Sequence, residues 1–360
     1  MGDYAARMSD PSTPLVSAIV PARNEALDIA RAVRSLAMQA DIREIIVVDD
    51  DSRDETASVL ADLKRTLPAL RVVDIKSLPA GWLGKTHAAA EGATHAQGEW
   101  FLFTDADTEH LPGSLRMLLG RAEREGADLL SLSPGQRVPT WWEKAVIPIV
   151  YSQLSHLYKF DEVNSPASSA AAANGQFILV RRSAYERAGG HTSVRAEILD
   201  DVALARRVKA AGGRLLFLPG ADWVQTRMYR TFGEMWQGWT KNLFLLYGGS
   251  AAKIARAVLV LMAQWILGPL SLVLASVVVM PNASGPWLCA GATASTAAVL
   301  WWMISYRQRL SRLGFSESLG RYFWAGAPLF TLMLLNSALA YKLRGAVEWK
   351  GRTYSVKGTL

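Results

Sequence analysis

The chain has 360 residues, 50% of them apolar and 20% charged, with a formal net charge of +7. A mean hydropathy of +0.12 is too apolar for a disordered chain. A single cysteine, Cys289, excludes an internal disulfide and a cysteine-built zinc module.

Residues 1–14 are polar, include Pro11 and Pro14, and read as a loose tail, not a signal peptide. Residues 15–20 are a short apolar run, hence a buried strand. Residues 26–38 carry Ile29, Val33, Leu36 and Ala37 at helical spacing. A second strand at 44–48 runs into Asp49-Asp50-Asp51, and a helix follows at 54–67. Strands at 70–75, 100–104 and 129–133 alternate with helices at 85–96 and 113–125. Short apolar strands alternating with helices predict an α/β fold, its parallel sheet covered on both faces. Ligands then bind beyond the carboxyl ends of the strands.

Residues 141–160 read as an amphipathic helix on a membrane surface or, equally, as a packing helix. The Ser/Ala-rich stretch 165–173 reads as a mobile loop. Strands at 176–180 and 214–218 flank a helix at 198–211. The helix at 231–244 presents Phe232, Met235, Trp236, Trp239 and Phe244 and leads toward the membrane.

No Asp, Glu, Lys or Arg occurs in 257–306 or in 322–341. Candidate spans are 257–280, kinked at Pro269, then 287–306 after an uncharged turn at 281–286, and 322–341. The loop 307–321 holds four Arg and one Glu, which places it and the catalytic part in the cytoplasm of a multi-pass protein of the cell (inner) membrane. Three full spans put the basic tail after Tyr341 outside, so either that rule fails there or one apolar segment is re-entrant. Much of the basic excess flanks the apolar segments, a placement that fits anionic headgroups and not nucleic acid.

Four motifs carry chemistry. Asp105-Ala106-Asp107 ends an apolar strand; in extended backbone both carboxylates fall on one side. They suit Mg²⁺ or Mn²⁺ with a diphosphate as co-ligand, and helix-capping acids are the plain alternative. In 47–54, three successive carboxylates repel one another unless exposed or answered. Asp50 is the candidate contact to a uracil imide N–H, and Asp54 a helix cap. The run Gly81-Trp82-Leu83-Gly84-Lys85-Thr86 lacks the first glycine of a P-loop, having Pro79 there. Lys85, opening a helix, still suits a phosphate. Asp200 or Asp201 begins a helix, as a cap or as a general base. His191, after Gly189-Gly190, faces a diphosphate or metal, or is a turn histidine bonded to backbone. His87 and His110 read as structural, and Trp141, Trp142, Trp236 and Trp239 as interface or packing residues.

In order, VSAIVPARNE, VVDDDSRDET, GKTHAAAEGA, FLFTDADT, NGQFILVRRSAYERAGGH and ILDDVALARRVKAAGGRLLF resemble family 2 glycosyltransferases of the GT-A fold over residues 15–245. RMYRTFGEMWQGWTKNLF, the apolar spans of 246–360 and Glu348-Trp349-Lys350-Gly351-Arg352 resemble the membrane-bound branch that glycosylates carotenoid- or hopanoid-type isoprenoids. The resemblance implies a Rossmann-like, mostly parallel catalytic sheet followed by transmembrane helices. It implies inverting transfer from a nucleotide-diphosphate sugar, a UDP-sugar favoured, to a membrane lipid, with Mg²⁺ or Mn²⁺.

By that resemblance Pro21, Arg23 and Glu25 line the nucleotide pocket and Asp50 holds the base. Lys85 stands near the ribose or diphosphate. Asp105 and Asp107 form the DxD motif, with Asp107 the more direct metal ligand. Asn174 and Gly175 approach the donor sugar. Asp201 is the catalytic acid-base residue, beside Asp200 where the family often has Glu. Polymerising synthases carry Gln-x-x-Arg-Trp before the membrane. Here Gln237-Gly238-Trp239-Thr240-Lys241-Asn242 lacks Arg-Trp, which argues against a polysaccharide synthase. Trp239 and Lys241 remain substrate-binding candidates, Lys241 as a charge for the diphosphate. A catalytically inert scaffold is opposed by the intact Asp105, Asp107 and Asp201.

Overall fold

The computed structural model describes residues 16–278 and 286–356. The expected tail at 1–14 lies outside the described residues, as do 279–285, which the first span and the turn after it were to use. The chain divides into two units: Met1–Arg137 with Tyr158–Met228, and Val138–Leu157 with Tyr229–Leu360.

The first unit opens with β1 (Val16–Ala22), α1 (Ile29–Ala37), β2 (Ile42–Asp50), α2 (Thr56–Thr66), β3 (Leu70–Ile75), α3 (Gly84–His95) and β4 (Trp100–Phe103). Side chains of β1 alternate between two apolar layers. Val16, Ala18 and Val20 join Ile29, Val33 and Leu36 of α1, whereas Ile19 joins Ala88 and Ala89 of α3. A strand apolar on both faces has to be covered on both. β1 runs parallel to β2 and β4, and β2 to β3, so their carboxyl ends share one edge.

Then come β5 (Thr108–His110), α4 (Ser114–Arg124) and β6 (Leu129–Gln136); later α6 (Phe160–Asn164), β7 (Ile178–Arg181), α7 (Arg182–Arg187), a 3₁₀ turn (His191–Val194), α8 (Asp200–Ala210) and β8 (Leu215–Thr226). The sheet order is β3-β2-β1-β4-β7-β6-β8-β5. β6 is parallel to β8; β7 is antiparallel to β4 and β6, and β5 to β8. β5 was not expected, and β8 runs eight residues past the predicted end at 218. The loop predicted to be mobile at 165–173 ends in buried Ala171, Ala172 and Ala173.

The second unit holds α5 (Trp141–Leu157), α9 (Phe232–Leu246), α10 (Ala251–Val278), α11 (Pro286–Arg312), α12 (Phe323–Leu339) and a hairpin of β9 (Ala346–Trp349) and β10 (Arg352–Ser355). α12 packs on α5, α9 and α10. The Ser337 hydroxyl donates to the Thr240 carbonyl at 2.6 Å, and Asn336 to the Thr240 hydroxyl at 2.8 Å. These ties put α9 with the apolar helices, so the division falls at 228 and not at the expected 245.

The surface helix expected at 141–160 is two helices. α5 buries Glu143 and every residue from Ala145 to Ser152, more than one stripe, so the packing alternative holds. The expected basic tail is a hairpin turned by Lys350 and Gly351, with φ of 45° and 73°, the two-residue type I′ pattern.

Among the described residues two helices are long and apolar enough to cross a membrane, Ala251–Ser271 and Glu317–Arg344. The expected span 287–306 is helical within α11, and Trp301 there is 72% exposed.

Candidate active site

Lys85 lies in the first turn of α3, where its Nζ meets Asp105 Oδ1 at 2.6 Å. Lys85 keeps 44% of its side chain exposed, so water weakens the pair, and its main effect is to fix a positive charge in place. Burial pulls the ammonium toward neutrality, but Asp105, Asp200 and Asp201 outweigh burial and raise its pKa. Lys85 therefore stays charged.

Gly175 sits between Lys85 and Asp201. Its N–H donates to Asp201 Oδ2 at 3.0 Å. A Cβ at this position would lie 2.7 Å from Lys85 Nζ and 3.8 Å from Asp201 Oδ2. Only glycine leaves room for the ammonium beside the carboxylate. Asp201 Oδ1 accepts from Val202 N–H at 2.8 Å. Burial, then the neighbouring Asp200 charge, push the Asp201 carboxyl up to about 6, against Lys85 and the two backbone donors. Asp200 is 8% exposed. The residue before α8 is Leu199, so neither acid is the N-cap residue; both stand in the first turn, where Asp201 also holds the Val202 N–H.

β4 stops at Phe103, so Asp105 and Asp107 are not on one side of an extended strand, as expected, but in a turn. The Asp105 carbonyl accepts from Thr108 N–H at 3.3 Å and from the Thr108 hydroxyl at 2.7 Å. Ala106 between the acids is buried and anchors the turn. Arg31 of α1 donates to the Asp107 carbonyl at 3.4 Å.

The expected nucleotide residues meet at the ends of β1 and β2. Pro21 pairs with Val48, and β4 leaves β1 before Pro21, so the missing N–H costs nothing on that side. The Arg23 guanidinium donates to the carbonyls of Asp50 and Asp51. Glu25 donates its N–H to the Thr56 hydroxyl at 2.8 Å. Asp50 is buried at the end of β2. Asp54 accepts from Ala26 and Thr56; although burial pulls upward, these bonds hold its carboxyl below the usual range.

Asn174 accepts at Oδ1 from Gln176 N–H at 3.0 Å, and its own N–H donates to Ser131 Oγ at 2.9 Å. Its side chain thus shapes the Gly175 turn. Trp239 and Lys241 belong to the second unit. There Trp239 is buried with its ring 6.1 Å from that of Tyr229, and Lys241 Nζ stands 5.1 Å from the centre of the Trp349 ring.

His110 is structural, as expected: it is buried, its Nε2 is 3.1 Å from the Thr104 hydroxyl, and burial lowers its pKa to about 3. Three residues near the site went unremarked in the sequence. Arg31 props the Asp107 turn. Tyr158, whose phenol is raised by burial, feels the charges of Arg206 and Asp201. Tyr185 bonds to His191. Only Arg31, three residues after Asp28 on one helix face, carries a pattern that could have shown it.

The acids fit a divalent cation of a particular kind. Asp105 and Asp107 offer hard oxygens, and among the described residues no group of three or more His, Cys, Asp or Glu could hold a metal. Two carboxylates suit an ion that takes its other ligands from phosphate and water.

Residues 17–189 match the model of Glycosyl transferase family 2. The chain is 28% identical to the 4,4'-diaponeurosporenoate glycosyltransferases of Staphylococcus aureus strains MRSA252 and USA300, over 94% of this chain and 88% of theirs. In structure it resembles a mannosyltransferase of Pyrobaculum calidifontis solved with GDP-Man and Mn²⁺, with TM-score 0.51, 22% identity and coverage of 90% of this chain and 88% of that one. That likeness shows the GT-A fold. Residues 17–189 of the chain are thus a family 2 glycosyltransferase domain.

Proposed function

We propose that the enzyme moves a sugar, with inversion, from a nucleotide-diphosphate sugar to a hydroxyl or carboxyl group of a membrane lipid, isoprenoids being the favoured class. The observation that supports this most is the Asp201–Gly175–Lys85–Asp105 arrangement. It sets a carboxyl of pKa about 6 beside a fixed ammonium at the carboxyl edge of the sheet.

The acceptor oxygen forms the new bond to the anomeric carbon while the bond to the diphosphate oxygen breaks and its electron pair leaves with the nucleotide. Asp201 takes the proton of an acceptor hydroxyl, a contribution of about 10²–10⁴-fold. Lys85 faces the negative charge that develops on the leaving group. Asp105 and Asp107 would hold Mg²⁺ or Mn²⁺, which supplies further charge for that diphosphate. Asp50 accepts an imide N–H of the base, which favours a UDP-sugar; guanine offers a similar N–H, so GDP-sugars belong in the test.

The lipid acceptor is supported by the relatives named for diaponeurosporenoate and by the two apolar helices. We place the protein in the inner membrane, with its first unit on the cytoplasmic side. The full chain in phospholipid vesicles, given labelled UDP-glucose or GDP-mannose and Mn²⁺, is expected to put label on an isoprenoid alcohol or acid, read by mass spectrometry. Label found only on water-soluble acceptors would overturn the lipid assignment.

A further inference from the structure

Gly189-Gly190-His191 has no part in the chemistry so far. Its local structure is demanding. Gly190 has φ of 53° and ψ of −158°, and a Cβ there would lie 2.7 Å from the Tyr185 ring. The backbone passes tightly under Tyr185 and delivers His191 into the protein, where it is 3% exposed and edge-on to Phe103 at 4.5 Å between ring centres. The 3₁₀ turn that begins at His191 is followed by Arg195, whose carbonyl accepts from Leu83 N–H at 2.9 Å and the Thr86 hydroxyl at 3.0 Å. The turn is thereby tied to the start of α3, where Lys85 stands, and it also packs against α8, which opens with Asp200.

The hydrogen bonds of Tyr185 fix the histidine tautomer. Its hydroxyl oxygen accepts from His191 N–H at 3.0 Å and lies 3.0 Å from His191 Nδ1. Burial pushes the phenol up to about 12, so the O–H keeps its proton and needs an acceptor. Nδ1 is the one it has among the described residues. The phenol therefore donates to Nδ1, and in a neutral ring the proton must sit on Nε2. Burial lowers the imidazole pKa to about 4, with Asp200 pulling up and Lys85 down, so the ring is neutral at working pH.

Two polar groups are left over. No hydrogen bond is made by His191 Nε2 or by the Asp200 carboxylate among the described residues, although both residues are more than nine-tenths buried. One is a donor and the other an acceptor, and the Asp200 charge reaches the imidazole. A hydroxyl group both accepts and donates, so it satisfies the two at once, where a phosphate oxygen would satisfy one and be repelled by the other.

We infer that His191 and Asp200 together bind one hydroxyl of the donor sugar, with Tyr185 as the positioning residue that holds the imidazole as an Nε2–H donor. Resting on the glycosyltransferase reading above, this makes Asp200 a sugar contact and leaves Asp201 as the base.

Two measurements on the full chain test the inference. The first needs no substrate. In ¹⁵N-histidine-labelled protein the chain's five histidines give a small set of ring signals, and the set lost in His191→Gln identifies His191. It is expected as the pure Nε2–H tautomer in the wild type and as a mixture in Tyr185→Phe, which keeps the ring and removes the O–H. An Nδ1–H tautomer, an imidazolium at neutral pH, or no change in Tyr185→Phe overturns the assignment.

The second measurement compares the nucleotide sugar that the wild type hydrolyses with the matching nucleoside diphosphate. Gln places a donor where Nε2–H stood; Phe keeps the packing without one. His191→Phe should weaken nucleotide-sugar binding about tenfold, the scale of one lost hydrogen bond, and leave nucleoside diphosphate affinity unchanged. His191→Gln should restore most of the loss. Equal weakening of both ligands, or equal behaviour of Phe and Gln, overturns the sugar contact. A wild type that binds no nucleotide sugar would refute the glycosyltransferase reading, while the tautomer would still be read independently.

Discussion

Asp200→Asn tests whether Asp201 is the base and whether its neighbour sets its proton affinity. Asp201 is displaced from 3.8 to about 6 by burial first and the Asp200 charge second, with Lys85 pulling the other way. A base works ionised, so kcat/KM should rise with pH through about 6 and level off above it. Asparagine keeps the shape of Asp200 and removes its charge. Burial remains, and burial has the larger share of the displacement, so the acidic limb should move down by about one pH unit, or about 1.4 kcal/mol of relieved repulsion. Lys85→Met should move the limb the opposite way, because it removes the charge that favours the ionised form. The assay is the pH dependence of kcat/KM for donor hydrolysis at constant ionic strength. A limb that stays put in Asp200→Asn, or rises, refutes the coupling; a limb that survives in Asp201→Asn refutes Asp201 as its source.

Asp201→Asn should bind donor as the wild type does, by calorimetry, and lose about 10²–10⁴-fold in transfer rate. Asp107→Ala should abolish the Mn²⁺-dependent part of donor affinity while circular dichroism and melting stay close to wild type; unchanged affinity would remove Asp107 from the metal site. Gly175→Ala puts a methyl where Lys85 Nζ lies 2.7 Å away. The flexible lysine should swing aside, so kcat should fall by about tenfold or more with little change in melting temperature, and a wild-type rate would show that the Lys85 position is immaterial.

The catalytic half of this architecture was legible because each strand is a short apolar run and each helix follows at once. The short apolar runs VSAIV and EIIVV, alternating with helices, fit strands of a parallel sheet covered on both faces. What escaped was set by partners distant in sequence. β5 is three residues long, Thr108–His110, and forms only because β8 continues to Thr226. The turn at Ala106 broke the extended pattern assumed for Asp105 and Asp107, since Thr108 bonds back to the Asp105 carbonyl, a choice that local propensity does not decide. Helix α5 could be read equally as a surface helix or a packing helix, because Glu143, Lys144 and His156 are distributed through an aromatic-rich, mostly apolar stretch. The apolar α12 that covers its middle lies more than 170 residues later. The DxD acids and the Asp200-Asp201 pair were readable one by one. That Lys85, paired with Asp105, and Asp201 meet at Gly175 was not, because the sequence does not show which side chains close on a glycine.

The charge balance at this site implies that donor and cation bind together. Ionised, Asp105, Asp107, Asp200 and Asp201 carry four formal negative charges, Lys85 returns one, and His191 is neutral. A diphosphate brings more negative charge. At an effective dielectric near 20, two unit charges about 6 Å apart repel by about 3 kcal/mol, and Lys85 is already engaged with Asp105 at 2.6 Å. Of these charges, that of Asp200 adds to burial in holding Asp201 near 6. A divalent cation, if Asp105 and Asp107 hold it as proposed, would offset part of the negative charge, easing entry of the diphosphate and favouring ionised Asp201. By linkage, whatever favours the ionised base is favoured by it. A donor diphosphate returns about as much negative charge as the cation supplies, so the effect is read on the free enzyme: the acidic limb of kcat/KM should move down from low to saturating Mg²⁺. Measured pH profiles at several Mg²⁺ concentrations decide it. If that limb stays put at every concentration, the acids near Lys85 and the acid that takes the proton do not share one electrostatic site, and the arrangement around Gly175 has been read wrongly.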